Sequence, residues 1–151
     1  MGYSLLDSGD FEKLEKFGSI CLRRPAPQAV WPKSLPPSRW DKAHCVFVRK
    51  DGDNSHWIKQ RKDIPDSWEI SWNNVKVQVR LTNFGHVGLF PEHSYHSSWR
   101  EVIAANSTPN FRVLNLFAYT GITSIYAAKS GAVVTHVDAS KTSIQWARTN
   151  A

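Results

Sequence analysis

A chain of 151 residues with 41% hydrophobic and 21% charged side chains is close to the soluble globular average, which excludes disorder as its main state and allows one real core. The formal charge is +6, a surplus that suits nucleic acid because each phosphate contact releases counterions. No run approaches the roughly 18 apolar residues of a membrane span. The opening Met1-Gly2-Tyr3-Ser4-Leu5-Leu6-Asp7 lacks the basic segment of a secretory leader. Cys21 and Cys45 have no C-x-x-C spacing and read as reduced thiols in a cytoplasmic protein.

In chain order, the first 83 residues read as a small, mostly antiparallel β-rich module. Ser19–Arg23 is a β-like run followed by Arg24-Pro25-Ala26-Pro27, extended around its prolines, and residues 32–37 form a second Pro-rich connection. Cys45–Arg49 and His56–Lys59 flank Asp51-Gly52, a hairpin signal. Trp68–Trp72, Asn73-Asn74 and Val75–Leu81 make a second hairpin. In it Val75, Val77, Val79 and Leu81 alternate with Lys76, Gln78 and Arg80, as in a strand wet on one face. Lys59-Gln60-Arg61-Lys62, beside Trp57 and Trp68, is either an RNA-contacting face or a solvated edge guarded by its charges, and the solvated edge is favoured.

Residues 84–110 read as a connecting segment, with a short helix over 99–105. His86, Glu92, His93 and His96 lie in it, but they form no H-E-x-x-H helix and have no cysteine partner, so no metal is expected.

Residues 111–151 carry the chemistry. Phe111–Phe117 is nearly all apolar, as a buried parallel strand should be. The turn Ala118-Tyr119-Thr120-Gly121 leads into a helix over 122–129, with Ile122, Ile125, Tyr126 and Ala128 as its apolar face and Gly131 as its left-handed end. Val133–Val137 is the next strand and closes on Asp138. Ser140 caps a second helix whose stripe is Ile144, Ala147 and Ala151. The crossover makes the two strands parallel, and such a unit binds ligands at the carboxyl ends of its strands. A carboxylate at Asp138, 17 positions after Gly121, can accept from both hydroxyls of a ribose, which implies an adenosine cofactor. A dinucleotide needs G-x-G-x-x-G for its pyrophosphate. This turn has one glycine beside bulky Phe117 and Tyr119, which favours S-adenosylmethionine (SAM), whose sulfonium suits aromatic faces.

Asn115-Leu116-Phe117-Ala118-Tyr119-Thr120-Gly121 resembles the first motif of class I SAM-dependent methyltransferases. With Val134–Lys141 and Gly88-Leu89-Phe90-Pro91-Glu92, it is similar to the group containing the bacterial large-subunit ribosomal RNA (cytosine-C5) methyltransferases. Leu5–Asp10 and Arg24–Pro32 look like the same lineage. The resemblance implies an α/β fold, the β-rich module followed by the first βαβα of a Rossmann-like domain. It implies that Asn115, Phe117, Ala118, Tyr119, Thr120 and Gly121 wrap the methionine end of SAM. Asp138 would hold the ribose, with Ala139 and Ser140 beside the adenine, and Phe90 and Glu92 would close the pocket. The departures from the family pattern are Asn115 for an acid, Ile122 for a second glycine and His93 for a glutamine.

A two-strand parallel unit is not a stable domain, and the chain stops at Ala151, inside a helix. The expectation is the front part of a methyltransferase of ribosomal RNA, without the catalytic motif and itself inactive. No catalytic residue is assigned, and the oligomeric state is left open. The competing readings are a non-catalytic RNA-binding remnant, a chain that does not fold, and a nicotinamide-dependent oxidoreductase fragment. The bland reading of residues 111–151 is an ordinary βαβα segment with Asp138 as a helix N-terminal charge.

Overall fold

The structure is a computed structural model that describes residues 2–50, 54–92, 108 and 111–151. The helix expected over 99–105, His93, His96 and the Asp51-Gly52 turn lie outside the described residues. The chain divides into two compact units, one of residues 1–73 with 79–87 and one of residues 74–78 with 88–151.

The first unit is built on a five-stranded sheet of β1 (Tyr3–Gly9), β2 (Glu12–Phe17), β3 (Ile20–Pro25), β4 (Cys45–Val48) and β5 (His56–Lys59), in that spatial order. All neighbours are antiparallel except β3 and β4, which run parallel after a long crossover. That crossover contains the short helix α1 (Pro37–Trp40), with proline at its opening positions, where a missing N–H costs nothing. The β1–β2 hairpin turns at Asp10 and Phe11, whose φ of 48° and 64° match the strand twist as a two-residue turn requires. Strands β6 (Ser67–Trp72) and β7 (Val75–Arg80) form a two-stranded sheet, with Asn73 and Asn74 at φ 46° and 65° between them. Val75, Val77 and Val79 are buried and Lys76 is exposed, as the alternation predicts.

Strands β1 and β2 are absent from the sequence reading, and the reason is physical. Glu12-Lys13-Leu14-Glu15-Lys16-Phe17 shows no period-2 apolar signal because its buried face includes Glu15. The Glu15 carboxylate is fully buried and meets the Arg24 guanidinium at 2.7 and 3.0 Å. It also accepts from the Tyr3 hydroxyl at 3.1 Å, and Lys13 Nζ lies 3.3 Å away. Arg24 completes its set by donating to the Gly85 carbonyl at 2.9 Å. Asp7 ties the crossover to β1 in the same way. It accepts from the amides of Ser8, Ser34 and Leu35 and from the Trp40 indole, at 2.8–3.1 Å. Burial pushes the Asp7 carboxyl up, but those bonds outweigh it and hold it below its ordinary value. Trp40 packs with Leu14 and Ala43 in the core.

The basic segment at 59–62 begins at the end of the edge strand β5 and carries surface ion pairs. Lys59 pairs with Asp66 at 2.7 Å, Arg61 with Asp63, and the Trp57 and Trp68 indoles donate to the carbonyls of Thr82 and Phe17. Cys21 and Cys45 are free thiols. Burial pushes the Cys45 thiol up to about 11 and raises Cys21 as well, so neither is a poised nucleophile.

The second unit contains β8 (Arg112–Leu116), α2 (Ile122–Lys129), β9 (Val133–Val137) and α3 (Lys141–Asn150). The strands pair in parallel, with Asn115 opposite His136. Gly131, at φ 90°, follows the end of α2, and the Ser140 hydroxyl accepts from the Ser143 amide to cap α3. Three expectations are corrected here. The face that α2 buries is Gly121, Ser124 and Ala127, while Ala128 is exposed. Small residues there let the helix approach closely. In α3 the buried residues are Ser143, Trp146 and Ala147, and Ala151 is exposed. The strands are not buried on both faces: Leu114, Leu116, Val133 and Val137 are 43–61% exposed, so one face of the pair is bare among the described residues.

Candidate cofactor site

The site lies at the carboxyl ends of β8 and β9, within the second unit. The chain leaves β8 through Phe117, Ala118, Tyr119 and Thr120 and enters α2 at Gly121. Phe117 and Tyr119 hold φ of 53° and 49°, uncommon for bulky side chains. Gly121 has φ 83°, and a Cβ there would stand 2.8 Å from the Ala147 Cβ. Any other side chain at this position would collide with α3.

Asp138 locks this turn to the next one. One carboxylate oxygen accepts from the Tyr119 amide at 2.8 Å and the other from the Ser140 amide at 2.8 Å. These two bonds, Ser140 first, hold the Asp138 carboxyl below its ordinary value against its burial. Each oxygen retains acceptor capacity, because a carboxylate offers about four lone-pair sites. The Ala118 amide donates to the Val137 carbonyl at 3.0 Å and adds a second tie between the strand ends.

Around the turn stand three aromatic rings. Phe90 lies 5.1 Å from Tyr119, and Tyr119 lies 6.2 Å from Trp146, centroid to centroid. Thr120 is buried and donates its hydroxyl to the Gly88 carbonyl at 2.7 Å. Trp146 donates to the Gln78 carbonyl at 2.9 Å and occupies the space a Cβ on Gly88 would need, 2.1 Å away. Gly88, at φ 88°, is the only residue type that fits.

The structure therefore gathers Phe90, Tyr119, Thr120, Gly121, Asp138 and Ser140 into one bonded or stacked set. Asn115 stands further back on β8 and donates to the Ser124 hydroxyl at 2.9 Å. Phe117 is 90% exposed, and Ala139 and Glu92 are exposed beside their strand and turn. Trp146 and Gly88 were missed by sequence reasoning, since Trp146 falls just off the predicted apolar stripe and Gly88 in a segment read as a connection. Among the described residues no group of three or more His, Cys, Asp and Glu could hold a metal ion, and no helix is long and apolar enough to cross a membrane.

No family model matches the sequence. The chain is 36% identical over 112 residues to the ribosomal RNA large subunit methyltransferase K/L of Pseudomonas syringae pv. tomato, a match covering 73% of the chain and 14% of the relative. To the protein of the same name from Alteromonas mediterranea it is 31% identical over 137 residues, 90% of the chain and 18% of the relative. The crystal structure of a SAM-dependent methyltransferase from Agrobacterium tumefaciens superposes with a TM-score of 0.91 at 38% identity, covering 99% of this chain and 48% of that one. The Pyrococcus abyssi tRNA (uracil-54, C5)-methyltransferase, solved with S-adenosyl-L-homocysteine, shares the fold at a TM-score of 0.51 and 16% identity. The chain thus spans less than a fifth of the curated relatives named here and about half of the Agrobacterium protein. In sequence and in fold it is related to the SAM-dependent methyltransferases, and its α/β architecture is theirs.

Proposed function

We propose that this chain holds S-adenosylmethionine at the carboxyl ends of β8 and β9, as part of a cytoplasmic methyltransferase acting on ribosomal RNA. The observation that carries the reading is Asp138. Its carboxylate is ionised, fixed by two backbone amides at the edge of the sheet, and still able to accept from the two hydroxyls of a ribose. The residues present fit the cofactor. The turn 117–121 offers a bend that only Gly121 can close against Ala147, and Phe90 and Tyr119, both partly exposed, supply ring faces for a sulfonium or an adenine. Asn115, Phe117, Ala118 and Thr120 would complete the wall around the methionine end, Ala139 and Ser140 would flank the adenine, and Phe90 with Glu92 would close the pocket.

The cofactor supplies an electrophilic methyl group. The chain's own residues orient it: Asp138 by the ribose, the aromatic rings by the charged sulfur, and the fixed turn by excluding water from one side. The RNA substrate is supported by the +6 charge and by the names of the relatives. The group that would activate the base is not assigned to any residue here.

Calorimetric titration with S-adenosylhomocysteine (SAH) tests the reading. The expected result is saturable one-site binding by the wild type, weakened about tenfold or more in Asp138→Ala, since bonds to a charged group are worth about 1.5–3 kcal/mol. RNA affinity with a steep salt dependence and no SAH site would favour the non-catalytic remnant instead.

A further inference from the structure

Behind the turn, Asn115 opens a polar array whose other two members, Ser124 and His136, have no part in the site described above. Asn115 Nδ2 donates to Ser124 Oγ at 2.9 Å, and Ser124 Oγ lies 3.0 Å from His136 Nδ1. The three residues come from β8, the first turn of α2 and β9, and Asn115 and His136 are direct neighbours across the parallel pair. His136 Cε1 is 3.5 Å from the position a Cβ on Gly121 would take, so the ring lies against the turn glycine. Its Nε2 is buried and has no hydrogen-bond partner among the described residues.

The inventory of groups constrains the donor order. An amide NH2 can only donate, so Asn115 Nδ2 uses one lone pair of the Ser124 oxygen. A helical serine often gives its hydrogen to the carbonyl four residues back. That carbonyl, of Thr120, accepts from Asn150 Nδ2 at 2.9 Å and keeps a second lone pair, so the Ser124 hydrogen can go to it or to His136 Nδ1. A buried polar nitrogen without a partner costs about 1–3 kcal/mol, and an apolar residue of similar volume would avoid that cost. A histidine kept at such a cost fits a group retained for what its other nitrogen does.

We infer that His136 is a positioning residue for the cofactor turn: through Ser124 and Asn115 it fixes the end of β8, the start of α2 and Gly121 as one rigid piece. The inference rests on the cofactor reading above. His136 touches no substrate. It acts by holding α2 in register with both strands, so that the left-handed residues Phe117 and Tyr119 keep their shape before the ligand arrives. Preorganisation of this kind strengthens binding without adding a contact.

The test uses the 151-residue chain, SAH as probe, and thermal unfolding beside every titration. His136→Leu removes both ring nitrogens, the buried Nε2 included. It is expected to keep or raise Tm while weakening SAH about tenfold. His136→Asn places an amide where Nδ1 stood and can still meet Ser124, so it is expected to restore affinity to within about threefold of wild type. SAH binding by His136→Leu equal to wild type overturns the inference. So does a fall in Tm that matches the affinity loss, which would make His136 merely structural. Absence of SAH binding by the wild type itself defeats the cofactor reading, and this inference with it.

Discussion

The two units handle buried polarity in opposite ways. In the first, buried charge is matched. Glu15 meets Arg24, Lys13 and Tyr3, Arg24 reaches Gly85, and Asp7 collects four donors. In the second, His136 Nε2 is buried without a partner among the described residues, Phe117 and Tyr119 sit at positive φ in one turn, as Phe11 does in the first unit's hairpin, and four apolar side chains of β8 and β9 are exposed. Strain and unpaired groups persist where the surrounding structure over-determines them, and they cluster at ligand sites. The contrast agrees with the proposed placing of the binding turn in the second unit. An exposed Phe117 at φ 53° departs from local preference, whereas the buried Glu15 has its partners close by.

The sharpest way to break the contrast is to unpair the first unit. Glu15→Ala leaves the Arg24 guanidinium buried without its carboxylate, with only the Gly85 carbonyl of its described hydrogen-bond partners, which is expected to cost about 3–5 kcal/mol in urea unfolding, as for other broken buried pairs. A loss under about 1 kcal/mol would mean that Arg24 finds water, and that the pairing is incidental. Next in size is Gly88→Ala, in the second unit. Its Cβ would overlap Trp146 at a φ of 88°, and small-to-large changes in packed sites cost about 1–3 kcal/mol. The Trp146 fluorescence environment is expected to shift in this variant, because the indole must move.

The third test is pH, and it acts on both units at once. Asp7 and Asp138 are both held below the ordinary 3.8. A carboxylate with a depressed folded value contributes stability that is whole above its unfolded value and is lost as pH falls through the folded one. These two carboxylates are therefore expected to leave stability unchanged down to about pH 5 and to lower it below about 3.8, while His86, held below 6.5 by burial and by Arg24, begins to lower it as pH falls below about 6.5. The smallest effect belongs to the bare sheet face. Leu114→Gln is expected to change stability by no more than about 0.5 kcal/mol, as at other exposed positions. It is also expected to reduce self-association in analytical ultracentrifugation, since contiguous exposed apolar side chains are sticky. A loss of several kcal/mol would show that the face is covered in solution.

The legibility of the sequence divides along the same line. The second unit was readable because its signals are local: an apolar run, a glycine turn, a second apolar run and a terminal acid mark strand, turn, strand and Asp138 in order. What was not readable there depends on long-range packing. Trp146 is buried by Gly88, 58 positions earlier, and nothing within α3 announces it. In the first unit the β4–β5 hairpin followed from its flanking turn signal; β7, whose residues are divided between the two units, followed from its clean alternation. Strands β1 and β2 were hidden because Glu15 occupies a core position, and only Arg24 on the neighbouring strand makes that tolerable. The bare face of β8 and β9 was misjudged for a related reason. An apolar strand states what it could bury, not what stands against it.

The central claim is that Asp138 and the turn 117–121 bind the cofactor, and the most direct measurement is an amide NMR titration of the wild-type chain with SAH. The account predicts saturable shifts at Tyr119, Gly121, Asp138 and Ser140, with the amides of β2 and β3 unmoved. Shifts confined to the first unit, or none at saturating SAH, would contradict it.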